Sequence, residues 1–361
     1  MEFHPGNVAL ALALLVLPAK TIAGAFLYVG HATSNEVAAY RIDAQSGALR
    51  AVPGSPFAVG QSPYSIAIDG RARRAYVANN LSGDLSGFTI NATSGVLTAL
   101  RGSPFAAGTT PVAVSLAQGG KYAVLSTMAA NSVTVFHIDA ASGRPTPLRN
   151  APFPAGERPA PVAVHPGGKF VYVANLVSND VTAYAMNPTT GALTRLSKSA
   201  YATGENPRAL VIAPSGRFLY VGNAVSDTLS AFAIDRATGE LRPVDGSPFP
   251  TGFNPRALAF DPAGRFLFAA NFSANAVSGY RADRETGALT PLSGSPFAVD
   301  GKPRGLTVDP TGNFVYTANF SSRNVSAYRI DASSETLVKV PGSPFAAFDG
   351  PTAITAVQFK D

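Results

Sequence analysis

Short apolar runs and alternating apolar/polar runs follow one another along nearly the whole chain, and they recur with a fixed spacing. Segments such as Phe170-Val-Tyr-Val-Ala-Asn175 are apolar almost throughout, as strands buried on both faces are. Segments such as Ala276-Val-Ser-Gly-Tyr-Arg281 alternate, as half-buried strands do. The aromatic landmark of the apolar runs falls at Tyr28, Tyr76, Val124, Tyr172, Tyr220, Phe268 and Tyr316, always 48 residues apart. The aromatic residue of the Ser-Pro-Phe motif keeps the same step from Phe57 to Phe345, and a Pro keeps it from Pro63 to Pro351. The 336 residues after position 25 hold seven such repeats without insertion or deletion. A period of about 40–50 residues built from short strands is the signature of propeller blades.

Residues 255–302 serve as the type repeat. Residues 256–260 are nearly all apolar and predict an inner strand, and Asp261-Pro-Ala-Gly264 has the residue order of a type I turn. Phe266-Leu-Phe-Ala-Ala-Asn271 is the second strand, and residues 276–281 are the third. Asp283-Arg-Glu-Thr-Gly287 reads as a hairpin loop whose Gly supplies a positive φ. Residues 288–292 form the outer strand, and the internal Pro291 suits an edge, where a missing N–H costs little. Ser295-Pro-Phe297 then crosses to the next blade. The repeating pattern starts on a second strand at Phe26 and ends on a first strand at 352–359. Pairing the two would close the ring and remove its open sheet edges. The predicted fold is all-β: a single-domain seven-bladed β-propeller over residues 26–361, with four antiparallel strands per blade and 352–359 beside 26–31.

Phe170-Val-Tyr-Val-Ala-Asn175 and Phe218-Leu-Tyr-Val-Gly-Asn223 are each followed by a Ser-x-x-Val/Leu strand. In this the chain resembles the YVTN-type repeats of the lactonase superfamily, over residues 26–361. The resemblance implies a seven-bladed propeller and 6-phosphogluconolactonase-like hydrolysis of a lactone; the superfamily also has a muconate-lactonizing branch. WD40 and kelch repeats fit less well, because the chain has no Trp and no Gly-Gly blade signature. Enzymes of the superfamily are expected to carry Gly-Pro-Arg-His at the start of one first strand. Asn206-Pro207-Arg208-Ala209 keeps the Arg and lacks the His. The Asn-Glu pair expected after the following second strand reads Asn223-Ala224, and an earlier Pro-His element reads Pro159-Ala160-Pro161. The resemblance therefore carries Arg208 over as a site residue and leaves any acid or base to other positions.

The N-terminus departs from the repeats. Residues 8–17 are an apolar run of ten, about half a membrane span, followed by the small-residue pattern Ala23-Gly24-Ala25. This reads as a signal peptide over residues 1–25, although the first seven residues contain no Lys or Arg. The alternative is a buried N-terminal strand or helix. Cleavage would deliver a domain without a membrane span to the periplasm or outside the cell.

Composition narrows the chemistry. With no Cys among 361 residues, a disulfide scaffold, a Cys-ligated zinc, an iron–sulfur cluster and a thiol nucleophile are excluded. The four His, at positions 4, 31, 137 and 165, share no metal-ligand spacing, so neither metal nor cofactor is expected. The net charge of +6 is too small and too local for a nucleic-acid-binding field. No Ser has a nucleophile-elbow context.

Chemistry is sought where the repeats stop being identical. After the repeating Pro stand Tyr64, Val112, Ala160, Arg208, Arg256, Arg304 and Thr352, so three consecutive blades place Arg at the start of the innermost strand. Arg158 and Lys302 precede the same Pro in their repeats, and Glu157 and Glu205 lie in neighbouring crossovers. Arginines about 8–10 Å apart repel by roughly 2 kcal/mol per pair at an effective dielectric near 20. A negative group is therefore expected: Glu157, Glu205, Asp180 or Asp227 as an internal partner, or an anionic ligand in the guanidinium forks. The strand-two Asn recurs in five blades, as befits a loop-bonding residue, and Asn223 and Asn271 share the arginine face as ligand-binding candidates. His31 replaces that Asn and, with Glu205, is the candidate general base. His165 takes a slot that is Asp69, Asp261 or Asp309 elsewhere and is expected to serve a turn, and His137 is expected to face solvent.

Three functions fit. The first is an exported propeller that binds a small anionic molecule (a lactone, sugar acid or carboxylate) or an acidic protein segment at an arginine-rimmed mouth. The second is a divergent lactone hydrolase using the same arginines, and the third a non-enzymatic envelope scaffold. No outer strand offers an evident dimer patch, so a monomer is expected.

Overall fold

The computed structural model describes Met1 and residues 24–359. The leader assigned to residues 1–25 lies almost entirely outside the described residues. The described residues form seven antiparallel sheets arranged as a closed propeller and contain no helix. Blade 1 consists of Pro351–Gln358, Ala25–His31, Glu36–Ile42 and Leu49–Ala51, from inner to outer strand. The first strands of blades 2 to 7 begin at Pro63, Pro111, Pro159, Pro207, Pro255 and Pro303.

Closure follows the expected pairing. The C-terminal strand runs antiparallel to the N-terminal one, with Phe26 opposite Val357, Tyr28 opposite Thr355 and Val29 opposite Ile354. Phe359, just beyond it, is buried with its ring 6.1 Å from that of Phe26. The outermost part of each blade differs from a plain four-stranded sheet. Ser-Pro-Phe is more than a crossover, because its aromatic residue and the next one add a two-residue ladder to the third strand, as Phe57–Ala58 does to Glu36–Val37.

The core lies between blades. Phe170, Tyr172, Val181 and Ala183 of blade 4 pack on Leu219, Val221, Phe232 and Ile234 of blade 5, and the other boundaries repeat this pattern. A polar latch of one form accompanies five of the seven apolar seams. The Tyr172 hydroxyl donates to the Gly239 carbonyl of the next blade's hairpin at 2.8 Å. Tyr28, Tyr76, Tyr220 and Tyr316 reach Gly95, Gly143, Gly287 and Gly47 in the same way. Gly239 has φ +76°, and a Cβ there would stand 2.3 Å from a ring carbon of Phe170, so both backbone and packing require glycine. At the seam between blades 6 and 7 the pattern lapses on both sides: Phe268 replaces the Tyr, and Glu335 occupies the glycine slot.

The turns are made as their residues predict. Asp261 Oδ1 accepts from the Arg265 and Phe266 amides at 2.6 and 2.7 Å. His165 serves the equivalent turn, accepting at Nδ1 from the Gly167 amide at 2.9 Å, with Nε2 2.9 Å from the Gly216 carbonyl oxygen. His137 is exposed on its strand.

Candidate anion site at the channel mouth

One local irregularity, repeated in every blade, builds the site. In blade 5, Pro207 faces Asn223 and Ala209 faces Gly222, so Arg208 is an extra residue in the first strand. Arg256, Arg304 and Tyr64 are bulged in the same way. A bulge re-aims the side chain of its extra residue, here into the central channel. The residue before each Pro adopts a left-handed backbone, for example Asn206 (φ 55°), Asn254 (φ 62°) and Lys302 (φ 58°). The loop is braced from the preceding blade: Asn179 Oδ1 accepts from the Asn206 amide at 2.8 Å, and Asp227 Oδ1 from the Asn254 amide at 2.7 Å.

The bulged residues of all seven blades converge on a cavity of about 200 Å³. Its wall comprises Tyr64, Val112, Ala160, Arg208, Arg256, Arg304 and Thr352, together with Ser65, Ala113, Met128, Pro161 and Leu176. The three arginines are half-buried and held from behind. Asn206 Oδ1 accepts from Arg208 Nε at 2.5 Å, and Asn254 Oδ1 from Arg256 Nε at 2.9 Å. The Arg256 guanidinium stacks 4.4 Å from the Phe272 centroid. Arg304 lies 4.4 Å from the Tyr64 centroid and 5.5 Å from that of Phe320. Stacking on aromatic faces suits a partly desolvated guanidinium.

Among the described residues, no carboxylate comes within ion-pair distance of Arg208, Arg256 or Arg304. Glu157 and Glu205 are exposed. Asp180 accepts from Asn175 Nδ2 at 2.5 Å, while Asp227 braces the Asn254 amide. The internal partner expected as one of two possibilities is thus not supplied by these four residues. The electrostatic consequence falls on the arginines. Burial, then the charges of Arg208 and Arg304, lower the Arg256 pKa to about 10, and burial and Arg304 lower that of Arg208. Both remain cations at neutral pH.

The other sequence candidates stand outside the cavity wall. Arg158 is exposed, with Nη2 3.2 Å from Met128 Sδ, and exposed Lys302 lies 5.7 Å from the Phe272 centroid. Asn223 is fully buried and donates to the hydroxyls of Thr228 and Ser230 at 3.0 and 2.9 Å. Asn271 is likewise buried and donates to Ser278 at 2.8 Å. The repeating Asn thus bonds third-strand side chains rather than loop backbone. His31 is fully buried, its ring edge-on to Phe348 at 5.5 Å, and neither ring nitrogen meets a partner among the described residues. Burial lowers its pKa to about 4. Met128 and Leu176 follow the second strand and line the cavity; Phe272 and Phe320 occupy the same slot and stack on the arginines. Sequence reading passed over this slot, whose only signal is that it changes from blade to blade.

A larger depression, about 530 Å³, opens at the other end of the first strands, among turn residues including Asp69, Arg71, Arg73 and Gly120. Its Arg71 and Arg73 are exposed, whereas the three arginines of the channel mouth are half-buried, so the arginine cavity is the stronger candidate. No group of three His, Asp or Glu side chains among the described residues could hold a metal ion.

The fold and its neighbours agree. A candidate 6-phosphogluconolactonase from Bacteroides uniformis superposes with TM-score 0.80 at 17% identity, covering 93% of this chain and 100% of that one. One from Bacteroides fragilis gives 0.79 at 22%, covering 94% and 99%. The periplasmic gluconolactonase of Pseudomonas aeruginosa gives 0.78 at 22%, covering 92% and 99%. At these identities the likeness establishes the shared fold. Comparison with curated proteins finds no match. The sequence matches the model of the lactonase, seven-bladed β-propeller family over residues 20–114, 101–207, 199–302 and 295–354. With the match running through every blade, the chain belongs to that family.

Proposed function

We propose that this lactonase-family propeller binds a small organic anion at the channel mouth through Arg208, Arg256 and Arg304. One observation carries the reading: three half-buried guanidiniums from adjacent blades meet at one cavity, with no carboxylate among the described residues within ion-pair reach. Their Nε groups are fixed for Arg208 and Arg256, which leaves the terminal nitrogens free to hold a carboxylate or phosphate as forks.

Family membership favours lactone hydrolysis as the second reading. The arginines would polarise the lactone carbonyl and stabilise the oxyanion that forms when water attacks, a role that preorganised cations fill well. The cavity wall contains no His, Asp or Glu, so the proton of the attacking water would pass to a second water molecule or to a group outside the wall such as Glu205 or His31. The apolar run and small-residue site at the N-terminus support export to the periplasm or beyond. N-terminal sequencing of the protein recovered outside the cytoplasm tests that point, and a first residue at or near Phe26 is expected.

The test of function is thermal unfolding of wild type and an Arg208→Ala/Arg256→Ala/Arg304→Ala variant against lactones, sugar acids, sugar phosphates and carboxylates. Base consumption is followed for each lactone that binds. A ligand at 100 times its Kd adds about 2.7 kcal/mol of stability. Stabilisation that disappears in the variant, without turnover, supports the binding propeller. Turnover that disappears in the variant supports the hydrolase. No stabilisation by any compound, with the variant as stable as wild type, moves the assignment to a scaffold.

A further inference from the structure

The cavity wall is divided. Going round the ring, blades 5, 6 and 7 contribute the three arginines, whereas blades 3 and 4 contribute Val112, Met128, Ala160 and Leu176. Apart from the Tyr64 hydroxyl, the side-chain hydroxyls of the wall are committed elsewhere. Thr352 Oγ1 donates to the Pro63 and Gly30 carbonyls at 2.6 and 3.1 Å, and Ser65 Oγ accepts from the Val114 amide at 3.2 Å. The Ala160 carbonyl already accepts from Ser126 Oγ at 2.6 Å. At blades 3 and 4 a ligand therefore meets methyl and methylene groups, while Tyr64 of blade 2, stacked with Arg304, adds a ring face and a single hydroxyl. On the same face as this wall, the loops also expose Leu81, Val177, Val225 and Phe253.

We infer that the ligand is a carboxylate with an apolar body, an alkyl or aryl acid or the lactone of one, rather than a polyhydroxylated sugar acid. The inference rests on the anion-binding reading and adds the chemistry of the ligand's other half. A sugar acid would press its hydroxyls against Val112, Met128 and Leu176, where they lose water and gain no partner. Each such group carries an unmade hydrogen bond into the complex. An alkyl or aryl group buries apolar surface on the same wall while its carboxylate meets the arginines. This makes Val112 and Leu176 specificity-determining residues.

Three monocarboxylates of equal charge isolate the body from the head: hexanoate, phenylacetate and gluconate, titrated calorimetrically into the purified full-length protein. Hexanoate or phenylacetate is expected to bind at least about tenfold more tightly than gluconate, a difference of about 1.4 kcal/mol. Val112→Thr, a near-isosteric change that adds a hydroxyl to the wall, is expected to narrow that ratio while the arginines still hold all three acids. Gluconate binding as tightly as the apolar acids, or more so, overturns the inference and leaves the anion site standing. Binding of none of the three by wild type overturns both. Equal ratios in wild type and in the folded Val112→Thr protein remove Val112 from the specificity assignment.

Discussion

Arg256 is the clearest single residue in the site. Its pKa is depressed to about 10 by burial first and by Arg208 and Arg304 second, it stacks on Phe272, and its Nε is fixed by Asn254. Arg256→Gln removes a charge-assisted contact worth about 1.5–3 kcal/mol, so anion affinity is expected to fall about 10- to 100-fold in a calorimetric titration. His31 makes a different prediction, about stability. Its folded-state pKa of about 4 lies below the ordinary 6.5 because burial disfavours the cation, which the Asp349 charge opposes only in part. As pH falls, the unfolded chain takes up the proton first. The stability His31 contributes is full above pH 6.5 and is lost as pH falls towards about 4, by up to about 3 kcal/mol. Denaturant unfolding at a series of pH values should show this slope in wild type and a shallower one in His31→Leu. Identical slopes in the two proteins would refute it.

At the scale of strands and hairpins, closure and latching make separable predictions. The C-terminal strand supplies the innermost ladder of blade 1, so deleting residues 352–361 leaves Ala25–His31 with an open edge. Cooperative thermal unfolding should then disappear throughout the ring, and a truncated protein that melts as sharply as wild type would contradict the closure. The latches are smaller. Tyr220→Phe strips the Gly287 carbonyl of its buried donor and should cost about 1–2 kcal/mol by chemical denaturation. Phe268→Tyr, at the seam where Glu335 replaces the glycine, should bring no matching gain. Strand order, the inner Pro and the closing pair were legible in the sequence because a 48-residue period aligns seven copies of each position. The latches were not: Tyr172 and Gly239 are 67 residues apart, in different blades, and meet only once the ring has curved. The two-residue ladder at Phe57–Ala58 was hidden for a related reason, since it is too short to carry an alternation of its own.

Across the whole molecule, a nearly seven-fold frame carries a site with no symmetry. All seven bulged positions face one cavity, yet the cations come from three neighbouring blades and the apolar wall mainly from the two before them. The sequence revealed the arginines because their slot recurs in every repeat. It could not reveal whether Glu157 or Glu205 would neutralise them, because that depends on where long side chains reach from exposed loops. Clustered cations without an internal counter-charge should behave in a characteristic way in salt. The deciding measurement is the thermal midpoint of ligand-free wild type and an Arg208→Gln/Arg256→Gln/Arg304→Gln variant, from about 20 mM to about 0.5 M sodium chloride. If the arginines form an anion receptor, screening relieves their repulsion, and wild type should gain stability relative to the variant as salt rises. A wild type that loses stability relative to the variant would mean that the arginines are held by attractive ion pairs within the protein, and would contradict the assignment of the cavity to an anionic ligand.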